Sequence, residues 1–409
     1  MATIAVIGTL DSKGEEHAFV AEKIRARGHR VVLIDVGTGG PPAIPPDFTR
    51  DQVAAAADVD LTTILSRRDR GECMAVMSKV APVFLANLAA AGEIKGVISL
   101  GGGSGTAIAT AAMRALPIGF PKLMVSVLAA GNTAPYIGTS DIVMIPAIAD
   151  IAGLNRLSRL ILTRAAGAIC GMVEEEPDTQ DSRPLVVASM FGNTTDCVNE
   201  AKRIIENAGY EVLVFAATGA GGRSMEALIK SGLAAGVLDL TTTELADELV
   251  GGVLSAGPDR MDAAALARVP AVIAPGCLDM VNFGEPGTVP PHFAGRRFYQ
   301  HTPQVTLMRT TPAECTELGR ILAEKINRYQ APAAVMIPRK AISAVGAPGQ
   351  PFHDPAADEA LFQSIRIHSE IPVEELDEEI NSPVFARACA ERLLQLMAVA
   401  KSESHHSGI

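Results

Sequence analysis

A chain of 409 residues that is 48% hydrophobic, 20% charged and 4% aromatic, with no tryptophan, has room for two or three domains whose cores rest on Ala, Val, Ile, Leu and Met. Its formal net charge of −11 speaks against a general nucleic-acid binder and against a protein held on anionic membrane. Six cysteines (Cys73, Cys170, Cys197, Cys277, Cys315 and Cys389) show no C-x-x-C spacing, which argues against a disulfide framework or a zinc site.

Met1 runs straight into an apolar stretch at 3–7, which leaves no room for a signal peptide, and no apolar run reaches the length of a bilayer span; a reducing cytoplasm is the expected location. Residues 3–8 read as a buried strand closed by Gly8, and 9–14 as a polar loop in which Asp11 or Ser12 caps a helix over 15–27. A second strand, 30–35, ends in a loop containing Gly37 and Thr38. Residues 41–70 read as an excursion over the surface, and 72–91 as a long helix. The run Val97–Leu100 then ends in Gly101-Gly102-Gly103-Ser104-Gly105-Thr106, followed by an Ala-rich helix to 116. Strands at 121–127 and 141–145 and a helix at 153–172 complete the first half. The charged, Pro-containing stretch 174–183 is the best linker; it separates domains at 1–176 and 184–409.

After the linker the order restarts: strand 185–190, loop 191–195, helix 196–208, strand 211–215, loop 216–222, helix 223–230, strand 236–240, a Thr-rich turn into a helix to about 249, and strand 271–274. The halves match strand for strand, so the expected class is α/β, with two Rossmann-like, doubly wound, mainly parallel-sheet domains facing an interdomain cleft. Beyond them come a Pro- and Gly-rich loop at 284–297, a strand at 304–308, a helix at 312–328, a strand at 333–337, a loop at 342–355 and helices at 358–366 and 383–399. The tail, with His405 and His406, reads as frayed.

In an open parallel sheet ligands sit at the carboxyl ends of the strands, where the unusual loops lie. The glycines of 101–106 leave backbone amides at a helix N-terminus open to an anion such as phosphate, or simply make a tight strand-to-helix turn. Gly8, Thr9, Leu10, Asp11, Ser12 and Lys13 have the shape of a phosphate loop without the G-x-x-x-x-G-K-[ST] spacing, so a P-loop ATPase is not indicated. Lys13 can meet a phosphate and Asp11 can hold Mg²⁺, or the two are a helix cap and a surface lysine. Thr139, Ser140 and Asp141 either face the cleft, with Asp141 joining Asp11 as a metal ligand, or form a turn. In the second half, Asn193 and Thr194 are anion-binding or capping residues. Gly221, Gly222 and Arg223 offer close approach and a planar fork for an acid, although Arg223 and Glu226 could equally form an ordinary helical pair. Asp239, Thr241, Glu244, Asp279, Asn282 and Glu285 gather carboxylates and polar groups at strand ends, for metal binding, acid–base work or structure. His301 is the best candidate for proton transfer, with His353 behind it.

Eight stretches together resemble the Tm-one-like ATP-binding family: Ile7-Gly-Thr-Leu-Asp-Ser-Lys-Gly-Glu15, Ser99-Leu-Gly-Gly-Gly-Ser-Gly-Thr106, Tyr136-Ile-Gly-Thr-Ser-Asp-Ile-Val143, Phe191-Gly-Asn-Thr-Thr195, Ala217-Thr-Gly-Ala-Gly-Gly-Arg-Ser-Met-Glu226, Leu238-Asp-Leu-Thr-Thr-Thr-Glu-Leu-Ala-Asp-Glu248, Leu278-Asp-Met-Val-Asn-Phe-Gly284 and His301-Thr-Pro-Gln-Val-Thr306. The resemblance covers essentially the whole chain and implies two Rossmann-like subdomains, bound ATP with Mg²⁺, and homodimers. Three readings stand open. The first is a nucleotide-binding enzyme that holds ATP–Mg²⁺ in its first half and a small acidic substrate against Arg223. The second is a metal-dependent hydrolase or lyase of a small carboxylate or sugar acid using Asp239, Asp279, Glu285 and His301. The third is a non-catalytic nucleotide-binding regulator.

Overall fold

Short apolar runs closed by a small or polar residue become the strands, and the stretches between them wind back as helices. The computed structural model describes residues 1–67, 69–176 and 183–406. The chain divides into two compact units, Met1–Thr179 and Gln180–Ile409. The middle of the expected linker, 177–182, and the last residues of the tail, 407–409, lie outside the described residues.

The first unit runs β1 (Thr3–Gly8), α1 (Leu10–Arg25), β2 (Arg30–Asp35), α2 (Arg50–Ala55), α3 (Leu61–Ser66), α4 (Arg70–Ala90), β3 (Gly96–Gly101), α5 (Gly103–Arg114), β4 (Lys122–Ser126), α6 (Ala134–Ile137), β5 (Val143–Pro146) and α7 (Arg156–Glu174). Its five strands are parallel and ordered β2-β1-β3-β4-β5. The chain therefore winds outward to β2 and then returns past β1 to β3, which makes the β1/β3 junction the topological switch point. Alternation along β1 feeds two cores, as a pleated strand requires. Ala5 and Ile7 join Met77 and Leu85 of α4 and Ile108 and Ala112 of α5. Ile4 and Val6 join Phe19 and Val20 of α1 and Leu162 and Ile169 of α7.

Two readings change here. Residues 41–70 are not a bare excursion: α2 begins at a capping box between Thr49 and Gln52, and the Asp60 and Asp69 side chains cap α3 and α4. The helix expected from 15 starts at Leu10, with a break at Lys13 (φ −131°, ψ 27°). In addition, α4 is long and apolar enough to cross a membrane by length and composition; its inward face is in the first core, with Met77 and Leu85 fully buried.

The second unit runs β6 (Leu185–Met190), α8 (Thr195–Asn207), β7 (Glu211–Ala216), α9 (Ala220–Lys230), β8 (Ala234–Thr241), α10 (Glu244–Val250), α11 (Asp262–Ala267), β9 (Ala271–Gly276), β10 (Met280–Phe283), β11 (Phe298–Thr302), β12 (Val305–Arg309), α12 (Pro312–Ile326), β13 (Ala333–Pro338), α13 (Pro355–His368), β14 (Val373–Leu376) and α14 (Pro383–His406). Six parallel strands are ordered β14-β13-β9-β8-β6-β7. The winding of the first unit recurs, with its switch point between β6 and β8. A three-stranded antiparallel sheet, β10-β12-β11, is inserted after β9. Residues 280–283, for which the sequence pattern gives no strand, are one of its strands.

Candidate functional site

The first unit opens a cavity of about 850 Å³ at its switch point. Two helix starts form one wall. Thr9 precedes α1 and Gly102 precedes α5, and neither supplies a side-chain cap, so first-turn amides that lack an intrahelical acceptor are left to bond elsewhere. Thr9, Asp11, Ser12 and Lys13 come from the first loop, and Gly102, Gly103, Ser104 and Gly105 from the second. The second loop is folded tightly on itself: a Cβ on Gly101 would stand 3.2 Å from the Cα of Gly105.

Three basic side chains line the cavity, Lys13, Arg50 and Arg70, against two acidic ones, Asp11 and Asp150. Its lining thus carries a net positive charge (3 − 2) in a chain of net charge −11. Arg70 reaches Ser104 Oγ at 3.3 Å, and Lys13 Nζ donates to the carbonyl of Ile151. Glu16 accepts from the amide of Gly153 at 2.8 Å, so the segment after β5 is fastened to α1 twice. Leu65, Cys73 and Met74 add an apolar side.

The floor is built from residues that do not line the cavity. Asp35, at the carboxyl end of β2, accepts through Oδ1 from Leu10 N (3.1 Å) and Gly37 N (2.9 Å). Burial pushes its carboxyl above the ordinary range, against the pull of those amides. Dinucleotide-binding folds use an acid at the end of this strand for the ribose; here it ties two loops together. Thr106 is buried and shares a hydrogen bond with Ser126 Oγ at 2.7 Å. Gly8 has no Cβ because the imidazole of His17 occupies that place, with Nε2 1.8 Å from where the atom would be. His17 is fully buried, its Nδ1 lies 2.6 Å from the carbonyl of Lys13, and its Nε2 has no hydrogen-bond partner among the described residues. Burial lowers its pKa.

The metal pair expected of Asp11 and Asp141 does not come together. Asp141 sits at the amino end of β5, pairs with the buried Lys122 Nζ at 2.6 Å and accepts from Gly119 N. Asp11 follows the carboxyl end of β1, at the opposite edge of the parallel sheet. Thr139 and Ser140 share the edge of Asp141 and do not line the cavity. The carboxylate of Asp11 is engaged by the amides of Gly39 and Gly40. Among the described residues, no three His, Cys, Asp or Glu side chains converge to hold a metal ion. With Asp141 committed to Lys122, the described residues present no all-protein cage for a magnesium ion; an ion here would lean on phosphate oxygens and water.

The second unit handles its matching loop differently. The glycine turn before α9 faces the chain's own Glu244, whose Oε1 accepts from Gly219 N and Gly222 N. A Cβ on Gly222 would stand 2.2 Å from Glu244 Oε2. Arg260, fully buried, donates to Glu244 at 2.6 Å and to both oxygens of Asp239 at 2.6 and 2.7 Å, and lies 3.4 Å from Glu226. Burial works against the Arg260 charge, yet the carboxylates of Asp239, Glu244 and Glu226 outweigh it and hold the guanidinium well above its ordinary pKa. Glu226 also accepts from Met261 N and Ala263 N.

The remaining expected residues disperse. Thr194 and Thr241 are buried and hydrogen-bonded to each other at 2.7 Å, and Ser189 links Thr241 to Asp239. Asn193 is buried and accepts from Asn381 through its carbonyl. Asn282 donates to both oxygens of the buried Asp247. Asp279 is fully buried, takes a hydrogen bond from Ser343 at 2.6 Å, and burial raises its pKa. Cys277 is buried, with its thiol pushed well above the ordinary range by that burial, as expected of an inert thiol. Arg223 is exposed and donates to the carbonyl of Ser255 at 3.0 Å. Glu285 and His301 are exposed, His301 on β11. The acid–base group drawn from Asp239, Asp279, Glu285 and His301 is therefore two separate buried networks and two surface residues.

A model described as the N-terminal domain of "Uncharacterised protein family (UPF0261)" matches residues 2–178, and its C-terminal domain counterpart matches 183–397. The chain belongs to the UPF0261 family. A UPF0261 protein of Clostridium tetani is 47% identical over 398 residues, 96% of this chain and 98% of that one. One from Rhizobium meliloti is 45% identical, over 95% and 97% of the two chains. The ToMV resistance protein Tm-1 of Solanum lycopersicum is 38% identical over 95% of this chain and 55% of the tomato protein. The solved UDP-N-acetylglucosamine 2-epimerase of Rickettsia bellii aligns over 97% of this chain and 96% of its own, at 11% identity and a TM-score of 0.22, which carries no argument about chemistry.

In this UPF0261 chain the residues missed from sequence are Gly39, Arg50, Leu65, Arg70, Cys73, Met74 and Asp150 of the cavity, and Arg260 of the buried network, whose Glu244 and Asp239 were expected as site carboxylates. The capping box at Thr49 and the capping aspartates at 60 and 69 were the available signals for structure in 41–70. No comparable signal marks Arg260, which lies in an irregular stretch before α11.

Proposed function

We propose that the amino-terminal unit binds a nucleotide by its phosphates, ATP being the first member to test. The observation that carries this reading is the pair of helix starts after β1 and β3, neither capped by its own N-cap side chain, opening side by side into one cavity with Lys13, Arg50 and Arg70. Amides at helix starts and glycine loops suit phosphate oxygens. Lys13 and Arg70 supply countercharge, and the apolar side of Leu65 and Met74 suits a base. The volume, about 850 Å³, falls within the range of small-molecule sites. A magnesium ion arriving with the nucleotide keeps phosphate oxygens and water as ligands. No observation favours the metal-dependent hydrolase reading, whose residues are committed to one another or stand apart on the surface.

Calorimetry with ATP, ADP and adenosine tests this. Affinity falling in that order, with ATP weakened by added salt, is the expected result. Absence of heat with ATP, or adenosine binding as tightly as ATP, would overturn it.

A further inference from the structure

The segment 37–40, between β2 and α2, forms one side of the cavity through Thr38 and Gly39, and it is held there from two directions. From α1, the Oδ2 of Asp11 accepts from Gly39 N at 2.6 Å and from Gly40 N at 3.2 Å. From α2, Arg50 Nη1 donates to the carbonyls of Gly37 (3.1 Å) and Gly40 (2.8 Å). The glycines are matched to the carboxylate: a Cβ on Gly37 would stand 2.7 Å from Asp11 Oδ1, and one on Gly39 2.9 Å from Oδ2. The break at Lys13 in the first turns of α1 lies beside this carboxylate.

We propose that Asp11 is a positioning residue of the cavity, a latch that fixes the 37–40 segment against α1, and not the metal ligand that an acid in a phosphate-type loop would suggest. The proposal rests on the nucleotide reading for its functional consequence. Its geometry stands without it. Both charge-assisted hydrogen bonds converge on the single oxygen Oδ2, which fixes the carboxylate and the loop to each other. With Asp11 latched, Thr38 and Gly39 face Gly102–Gly105 across a site of fixed width, so ligand affinity depends on Asp11 whether or not a divalent ion is present.

The test uses the full chain as wild type, Asp11→Ala and Gly39→Ala. Each is titrated with ATP by calorimetry, once with saturating Mg²⁺ and once with EDTA. In parallel, hydrogen exchange is followed on the unliganded proteins. Asp11→Ala is expected to weaken ATP about tenfold in both arms, in line with losing a charged hydrogen-bond partner, and to speed exchange in the peptide spanning 37–40 while the β3 peptide is unchanged. Gly39→Ala, which crowds the latch but leaves the carboxylate in place, should do the same, and the double variant should lose no more than either single one. A loss confined to the Mg²⁺ arm, with Gly39→Ala binding as wild type, would make Asp11 a metal ligand and overturn the proposal. Unchanged exchange at 37–40 in Asp11→Ala would overturn it as well. If wild type binds no ATP in either arm, the nucleotide reading fails, and the exchange measurement alone decides the latch.

Discussion

Glu244 holds its carboxylate 2.6 Å from the backbone amide of Gly219, at the turn into α9. An anion thus occupies the second unit's glycine loop, and it is part of the chain. Removing it in Glu244→Ala leaves Arg260 and two helix-start amides without their shared acceptor inside a dry network. Breaking one partner of a buried ion pair costs about 3–5 kcal/mol. Chemical denaturation should show that loss as a lower midpoint with an unchanged slope, and a midpoint equal to wild type would contradict the account.

The cavity of the first unit should respond in the opposite way. Arg70 is exposed, and among the described residues its side-chain hydrogen bond is to Ser104. Arg70→Ala should therefore weaken ATP by about 1.5–3 kcal/mol, the worth of a charged hydrogen bond, and leave the thermal midpoint within a degree or two. Calorimetry and a thermal scan on the same sample separate the two effects.

Gly8 and His17 are coupled by volume. Because the ring of His17 occupies the place of a Cβ, Gly8→Ala should destabilise by about 3 kcal/mol through overpacking. In a His17→Ala background the same substitution should cost much less, and a double-mutant cycle measures the difference. Equal costs in the two backgrounds would show that the backbone, not the imidazole, sets the limit.

Asp247 is buried beneath Asn282, and that burial pushes its pKa up to about 7, against the pull of the Asn282 hydrogen bonds. An unfolded chain ionises this carboxyl near pH 4. Below that, both states are protonated and nothing is lost. Between about pH 4 and 7 the unfolded state gives up its proton first, so stability falls as pH rises, by roughly 4 kcal/mol over the window, and levels off above it. Asp247→Asn should flatten this part of the stability–pH curve. An unaltered slope would assign the dependence elsewhere, for example to Asp358, which burial raises to about 6.

The strands of both sheets were legible in the sequence because parallel strands buried on both faces are written as unbroken apolar runs, from Ile4–Ile7 to Ala271–Ala274. The glycine loops were legible as positions, but what fills them was not. Gly101–Gly105 opens into a cavity and Gly219–Gly222 closes on Glu244, and nothing local to either loop distinguishes them. The difference comes from Arg260, which meets carboxylates 16, 21 and 34 residues away; contacts at such separations leave no periodic trace. Arg50 and Arg70 escaped for a related reason: their segment has no amphipathic period, and its order comes from caps. Asp141 looked like a cleft residue because polar loops cluster at functional ends, yet it precedes its strand, and its partner is the aliphatic-stemmed Lys122 at the start of β4.

The two glycine turns, so alike on the page, set up two kinds of genetic lesion. A substitution near Gly103 would leave a well-made protein with an empty berth, visible only when its guest is offered. One near Gly222 would displace an internal carboxylate and reach the cell as a shortage of protein. A saturation library scored once for abundance and once for ligand retention would sort the pair without any knowledge of the reaction.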